Sequence, residues 1–119
     1  MMTFTARVIP GAGRGGRLGV PTLNLNLDDV PKDLPHGIYA CRVGALLGAL
    51  HYGPRPVFDD SVSCEVHLID TVVAIPPTEV KVEIVQRLRD IKNFDSEEDL
   101  IWQMNEDIRS ARRAILPHP

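Results

Sequence analysis

Hydrophobic and polar residues alternate along much of this chain, which is the pattern of half-buried β-strands. The clearest alternation covers residues 62–70, where Cys64 and Val66 fall on one face and Glu65 and His67 on the other. Weaker strand patterns cover residues 3–9, 23–27, 38–43, 49–52 and 79–85. We therefore predict about six short strands.

A single helix is predicted at the C-terminal end, over about residues 96–114. Ser96 is a suitable N-cap, and acidic residues follow it near the positive end of the helix dipole. Apolar side chains then recur at helical spacing: Leu100, Ile101, Met104, Ile108, Ala111 and Ile115. Because the strands come first and never alternate with helices, a small antiparallel barrel with one packed helix is the predicted fold.

Size and charge narrow the classes of function. The 119 residues suit one domain, taken as 1–119, and the net charge of −3 disfavours a nucleic-acid binder. Residues 1–27 nevertheless contain three arginines and no acid, a local basic patch that suits a small anion. Cys41 and Cys64 form no CxxC pair and are expected to be buried thiols. No signal peptide or membrane segment is recognised, so a cytoplasmic location is expected.

Five of the nine glycines fall within residues 11–19, which predicts an open loop. The stretch 11–16 matches GxGxxG literally, but Gly19 and Pro21 follow where a dinucleotide-binding fold requires a helix. We therefore reject the dinucleotide interpretation. A glycine loop with arginines can bind phosphate through its backbone N–H groups, or it can be an ordinary surface loop, and composition alone does not separate the two.

Thr22 and Asn24 directly follow this loop. On an extended chain their side chains point the same way and offer two neutral oxygen donors, which suit a Mg²⁺ ion that also binds substrate phosphates. On the residues alone, however, a turn residue and a strand-edge hydroxyl are the favoured explanation. Glu65 lies on the face opposite the apolar side chains of its strand, where the pattern alone favours a solvated strand glutamate. His67 shares that face and is expected to be structural.

Five segments, in this order, resemble the signature of the riboflavin kinase family. The first four segments are Gly13-Arg14-Gly15-Gly16-Arg17-Leu18-Gly19-Val20-Pro21-Thr22-Leu23-Asn24-Leu25, Pro35-His36-Gly37-Ile38-Tyr39-Ala40, Gly53-Pro54-Arg55-Pro56-Val57-Phe58 and Glu65-Val66-His67-Leu68-Ile69-Asp70. The fifth runs from Leu88-Arg89-Asp90 to Phe94 and continues in the helix with Ser96 to Leu100 and Asp107-Ile108. The resemblance covers about residues 4–114. His51 stands where the family usually has Asn, Val57 where it has Thr, and the loop around Pro76-Pro77 also departs from the pattern.

The resemblance implies a Greek-key barrel and an enzyme that transfers the γ-phosphoryl group of ATP to the 5′-hydroxyl of riboflavin. It implies Mg²⁺ held by Thr22 and Asn24, Glu65 as the general base, and Arg89 in the flavin site. The nucleotide site it implies consists of Gly11, Gly13, Arg14, Gly15, Gly16, Arg17, Gly19, Pro21, Thr22 and Asn24. The expected partners are small molecules only, bound by a monomer. The alternatives left open are a non-catalytic flavin- or nucleotide-binding barrel and a protein-interaction domain.

Overall fold

The computed structural model describes residues 2–9, 21–54, 61–71 and 77–115. Within these ranges the chain forms β1 (Thr3–Ile9), β2 (Thr22–Leu25), β3 (Gly37–Val43), β4 (Leu46–Pro54), β5 (Val62–Ile69), β6 (Glu79–Arg89) and α1 (Glu97–Ile115). A short 3-10 turn, Leu27–Asp29, follows β2. No helix in the described ranges combines the length and the hydropathy that a membrane crossing requires.

The strands close into an antiparallel barrel in the order β1-β2-β5-β4-β3-β6, with β6 pairing back onto β1. Strands β3, β4 and β5 are consecutive neighbours, and β6 returns to lie beside β3, which is a Greek key. The predicted mainly-β fold, a six-stranded antiparallel Greek-key barrel with a C-terminal helix, is confirmed. Strand β6 runs further than the predicted residues 79–85, and this extension places Arg89 on the barrel.

The barrel interior is filled by the apolar faces of all six strands. Leu25, Leu50, Val66 and Val82 are each fully buried there, as the alternation predicts. Both cysteines are free and buried among these side chains. Burial raises the pKa of each thiol to about 12, so neither is a reactive thiolate near neutral pH.

Helix α1 lies against the outside of the barrel. Ala111 and Ile115 pack on Ala40, Ala49 and Ile69. This second cluster buries the outer face of β3 as well as its inner face, so the run from Ile38 to Cys41 is buried without alternation. The helix begins as predicted, because the Ser96 Oγ accepts a hydrogen bond from the Asp99 backbone N–H at 3.1 Å.

The buried stripe of α1 differs from the predicted one. Ile101 was expected on the packed face, yet it is 37% exposed. Gln103 and Asp107, two polar residues one turn apart, are buried instead. The physical reason is a cationic partner on the barrel, Arg89, which makes a buried carboxylate favourable on that side of the helix.

Candidate active site

Strands β2 and β5 bring the predicted oxygen donors and the predicted base together. Asn24 pairs in register with Glu65, and Thr22 pairs with His67. Side chains directly opposite each other on antiparallel strands have Cβ atoms about 4.5–5.5 Å apart. Since residues two apart share a face, Thr22, Asn24 and Glu65 lie on one patch of the barrel exterior.

The residue that precedes β2 is also bonded to β5. The backbone N–H of Leu68 donates to the Pro21 carbonyl at 2.9 Å, which extends the β2–β5 pairing by one residue. The remaining residues predicted to bind nucleotide lie outside the described ranges: Gly11, Gly13, Arg14, Gly15, Gly16, Arg17 and Gly19. Pro21, Thr22 and Asn24 are the described members of that predicted site.

His51 extends this polar patch onto β4, where it pairs in register with Glu65. The residue is only 8% exposed. Both ring nitrogens are buried, and neither makes a well-formed hydrogen bond to the described residues. The carbonyls of His51 itself and of Pro54 lie close enough to favour the protonated ring. Burial, followed by the nearby charge of Arg89, lowers the pKa of His51 to about 4, so the ring is neutral near pH 7.

His67 lies beside the same carboxylate on β5. Burial, with a further contribution from His51, lowers its pKa to about 4 as well. Two neutral imidazoles therefore flank Glu65, one on its own strand and one on the neighbouring strand. The patch thus offers hydroxyl, amide, carboxylate and imidazole groups, a set suited to binding a polar ligand and moving a proton.

The far edge of the patch is closed by an ion pair between the barrel and the helix. The Arg89 Nε and Nη2 donate to the two Asp107 oxygens at 2.8 and 2.7 Å. The Arg89 Nη1 donates to the Asp90 carbonyl at 2.8 Å, and the Gln103 amide donates to Asp107 at 3.0 Å. The Arg89 and Asp107 side chains are 19% and 10% exposed. All three guanidinium nitrogens are therefore engaged, two of them in holding α1 onto β6.

The strand register turns these groups into one row. Asn24 pairs with Glu65, Glu65 with His51, His51 with Ile38, and Ile38 with Arg89. The row crosses β2, β5, β4, β3 and β6, and adjacent strands lie about 4.8 Å apart. Sequence reasoning found Asn24, Glu65 and Arg89 but left His51 and Asp107 without a role. No local sequence pattern marks Asp107 as buried, because its partner Arg89 comes from a distant strand.

These features define a closed six-stranded antiparallel barrel with a helix packed on its outside and a row of polar side chains across five strands. The family model described as riboflavin kinase matches residues 1–115. Similar proteins include the riboflavin kinases of Mus musculus, 35% identical, and Homo sapiens, 34% identical, each match covering 92% of this chain and 77% of the relative. The chain belongs to the riboflavin kinase family, and the predicted family and enzyme class are confirmed.

Other relatives carry the same region within longer chains. A bifunctional riboflavin kinase/FMN adenylyltransferase of Bacillus subtilis is 30% identical over 89% of this chain and 36% of its own length. Among solved structures, a macrolide-efflux protein from Streptococcus pneumoniae superposes with a TM-score of 0.76 at 28% identity, over 92% of this chain and 38% of that one. This structural likeness supports the barrel fold.

Proposed function

We propose that this protein transfers the γ-phosphoryl group of ATP to the 5′-hydroxyl of riboflavin, giving FMN and ADP. The observation that carries the proposal is the in-register pair of Asn24 and Glu65, with Thr22 on the same face. Phosphoryl transfer needs a place for a metal-bound triphosphate next to a base that faces the attacking alcohol. Membership of the riboflavin kinase family supplies the substrates.

Thr22 and Asn24 are the residues that we propose for Mg²⁺ and the ATP phosphates. Both offer hard, neutral oxygens, the ligand type that Mg²⁺ takes when phosphates and water complete its coordination. Across the described ranges no cluster of three or more His, Cys, Asp or Glu forms a rival metal site. When bound, the ion would neutralise charge on the phosphate oxygens. The glycine segment that ends at Pro21 is proposed to close over the nucleotide.

Glu65 is the proposed general base. Its carboxylate accepts the proton of the ribityl 5′-hydroxyl as that oxygen bonds to the γ-phosphorus and the bond to the bridging oxygen of ADP breaks. The proton ends on Glu65, and the electron pair of the broken bond leaves with ADP. Arg89 is proposed to form part of the flavin site by fixing α1 on the barrel, since Asp107 and the Asp90 carbonyl already bind its guanidinium.

The test is formation of FMN from riboflavin, ATP and Mg²⁺, followed by chromatography. EDTA should abolish the product. Glu65→Gln should lower kcat by about 10²- to 10⁴-fold, the usual contribution of a general base, while the Kd for riboflavin stays within about twofold. Glu83→Gln is the matched control, because Glu83 is also a partly buried strand glutamate but pairs with Arg42 on β3.

Three outcomes separate the candidate functions. Normal turnover in Glu65→Gln would show that another group is the base. Tight riboflavin binding without FMN would favour the alternative of a non-catalytic flavin-binding barrel, which the His51 departure from the family pattern motivates. Absence of both binding and turnover would leave neither candidate.

We also propose that the chain acts as a cytoplasmic monomer on these small molecules, without nucleic acid or a membrane. Two buried thiols that are not paired in a disulfide fit a reducing compartment. Size-exclusion chromatography with light scattering tests the oligomeric state, and a mass of twice 13.2 kDa would contradict it.

A further inference from the structure

The imidazole of His51 is the polar group whose position the protein fold alone explains least. The residue is 8% exposed, and neither ring nitrogen makes a well-formed hydrogen bond to the described residues. The nearby carbonyls of His51 and Pro54 can only accept from the ring N–H, so the second nitrogen, an acceptor, has no donor there. A buried polar group without a partner opposes folding, because it gives up its hydrogen bonds to water. Such a group is explained when a ligand supplies the missing bonds.

The location of His51 indicates which part of a substrate it meets. Across the strands, Asn24 lies on one side of Glu65 and His51 on the other. Under the proposed function, on which this inference rests, the metal and triphosphate occupy the Asn24 side. The alcohol that Glu65 deprotonates must then extend from Glu65 toward β4, over the ring of His51.

The chemistry of the ring selects the ligand group. A neutral imidazole carries one N–H donor and one nitrogen acceptor. A hydroxyl can both accept and donate a hydrogen bond, so it satisfies either nitrogen. A phosphate oxygen only accepts bonds and favours a cationic partner, which the adjacent charge of Arg89 and the burial of the ring both oppose.

We infer that His51 binds a secondary hydroxyl of the ribityl chain and thereby holds the 5′-hydroxyl against Glu65. His51 touches the substrate beside the reacting atom, so it is a substrate-binding residue of the reaction. The family pattern has Asn at this position, which also carries one donor group and one acceptor. His51→Asn is therefore the conservative variant, and His51→Leu removes both bonding groups at similar volume.

The experiment measures the Kd for riboflavin by flavin fluorescence, and the KM values for riboflavin and ATP, in wild type, His51→Leu and His51→Asn. Ser63→Ala is the control for a disturbed barrel face, because Ser63 is a buried polar residue on β5 that pairs with Gly53 on β4. We expect His51→Leu to raise the riboflavin Kd and KM about tenfold, the loss of one hydrogen bond, with the ATP KM within about twofold. His51→Asn should stay within about threefold of wild type.

A second substrate tests the hydroxyl directly. A 7,8-dimethylisoalloxazine with a 5-hydroxypentyl chain keeps the terminal hydroxyl and lacks the secondary ones. Wild type should prefer riboflavin over this analogue by about tenfold, and His51→Leu should lose that preference. Equal discrimination in both proteins would overturn the inference.

The remaining outcomes each decide one question. FMN formation by His51→Leu with unchanged riboflavin Kd and KM overturns the role of His51 and leaves the proposed reaction standing. Absence of FMN in wild type overturns the reaction, while a tenfold weaker flavin Kd in His51→Leu still supports the contact. A loss of affinity in Ser63→Ala equal to that in His51→Leu means a disturbed barrel face and overturns the inference. No riboflavin binding by wild type overturns both.

Discussion

The ion pair between Arg89 and Asp107 is expected to be the polar interaction that contributes most to holding α1 against the barrel. Two short bonds join the side chains, and Gln103 donates a third bond to the same carboxylate. The Asp107 side chain is 10% exposed, so solvent screens the pair weakly. Asp107→Asn keeps the shape of the side chain and removes its charge. The guanidinium of Arg89 then stays buried without a compensating anion.

The structure sets the magnitude of this loss. Breaking a buried pair by removing one partner costs about 3–5 kcal/mol, and the partial exposure of Arg89 argues for about 3 kcal/mol here. That is a large share of the about 5–15 kcal/mol that stabilises a typical domain. Asp70→Asn is the matched control, because Asp70 also joins the barrel to α1, through Arg112, but its side chain is 72% exposed. Its cost should stay below about 1 kcal/mol.

Urea denaturation of both variants measures the difference. The control is sound at the backbone level, since Asp70 has a φ of 56°, a conformation that Asn tolerates. A difference in unfolding free energy of at least about 2 kcal/mol between Asp107→Asn and Asp70→Asn is expected. Equal losses of unfolding free energy in the two variants would refute the argument that burial decides how much these ion pairs stabilise the fold. The double variant Arg89→Met with Asp107→Leu should recover much of the loss, because no unpaired charge remains.

Two further predictions concern pH and core packing. The pKa of His51 is about 4 in the folded chain, against an ordinary 6.5. Below pH 6.5 the unfolded chain therefore binds a proton at this residue that the folded chain does not bind. The free energy of unfolding consequently falls as the pH is lowered toward 4. Between pH 7 and pH 5 wild type should lose about 2 kcal/mol more than His51→Leu, and parallel urea profiles would contradict this. Gly48→Ala places a Cβ 2.7 Å from the Val66 Cγ1 and should cost about 1–3 kcal/mol. Gly44 lies in open space at a φ of 59°, so Gly44→Asn should lower the unfolding free energy by under about 1 kcal/mol. Equal losses for Gly48→Ala and Gly44→Asn in urea denaturation would refute the predicted clash with Val66.

Alternation was informative where one face of a strand meets the core and the other does not. It separated the faces of β5 correctly, with Cys64 and Val66 inside and Glu65 outside. It was less informative for β3, where α1 buries the outer face too. It also missed the end of β6, because register shifts opposite Ile38 and Ala40 interrupt the regular pairing. Periodicity reports which face is apolar, but a bulge in a strand leaves no comparable trace.

The helix shows a second limit of sequence reasoning. Gln103 and Asp107 are polar, so a polarity pattern assigns them to solvent and assigns Ile101 to the core. The structure reverses this, because Arg89 arrives from a distant strand and stabilises the carboxylate beneath the helix. The identity of a buried polar residue depends on a partner that no local window contains. For the same reason, the sequence marked His51 only as a departure from the family pattern and gave it no role in the site.

The candidate site depends on strand register more than on any single residue. Asn24, Glu65 and His51 belong to three strands, and a slip of one residue in either pairing would turn a member of the row into the core. Closure of the barrel prevents such slips, because every strand is paired on both sides and no free edge remains among the described strands. A barrel with a Greek key thus fixes neutral donors, a carboxylate and an imidazole at spacings of one strand. That spacing is short enough for one small alcohol to contact both the carboxylate and the imidazole while its reacting oxygen faces the neutral donors.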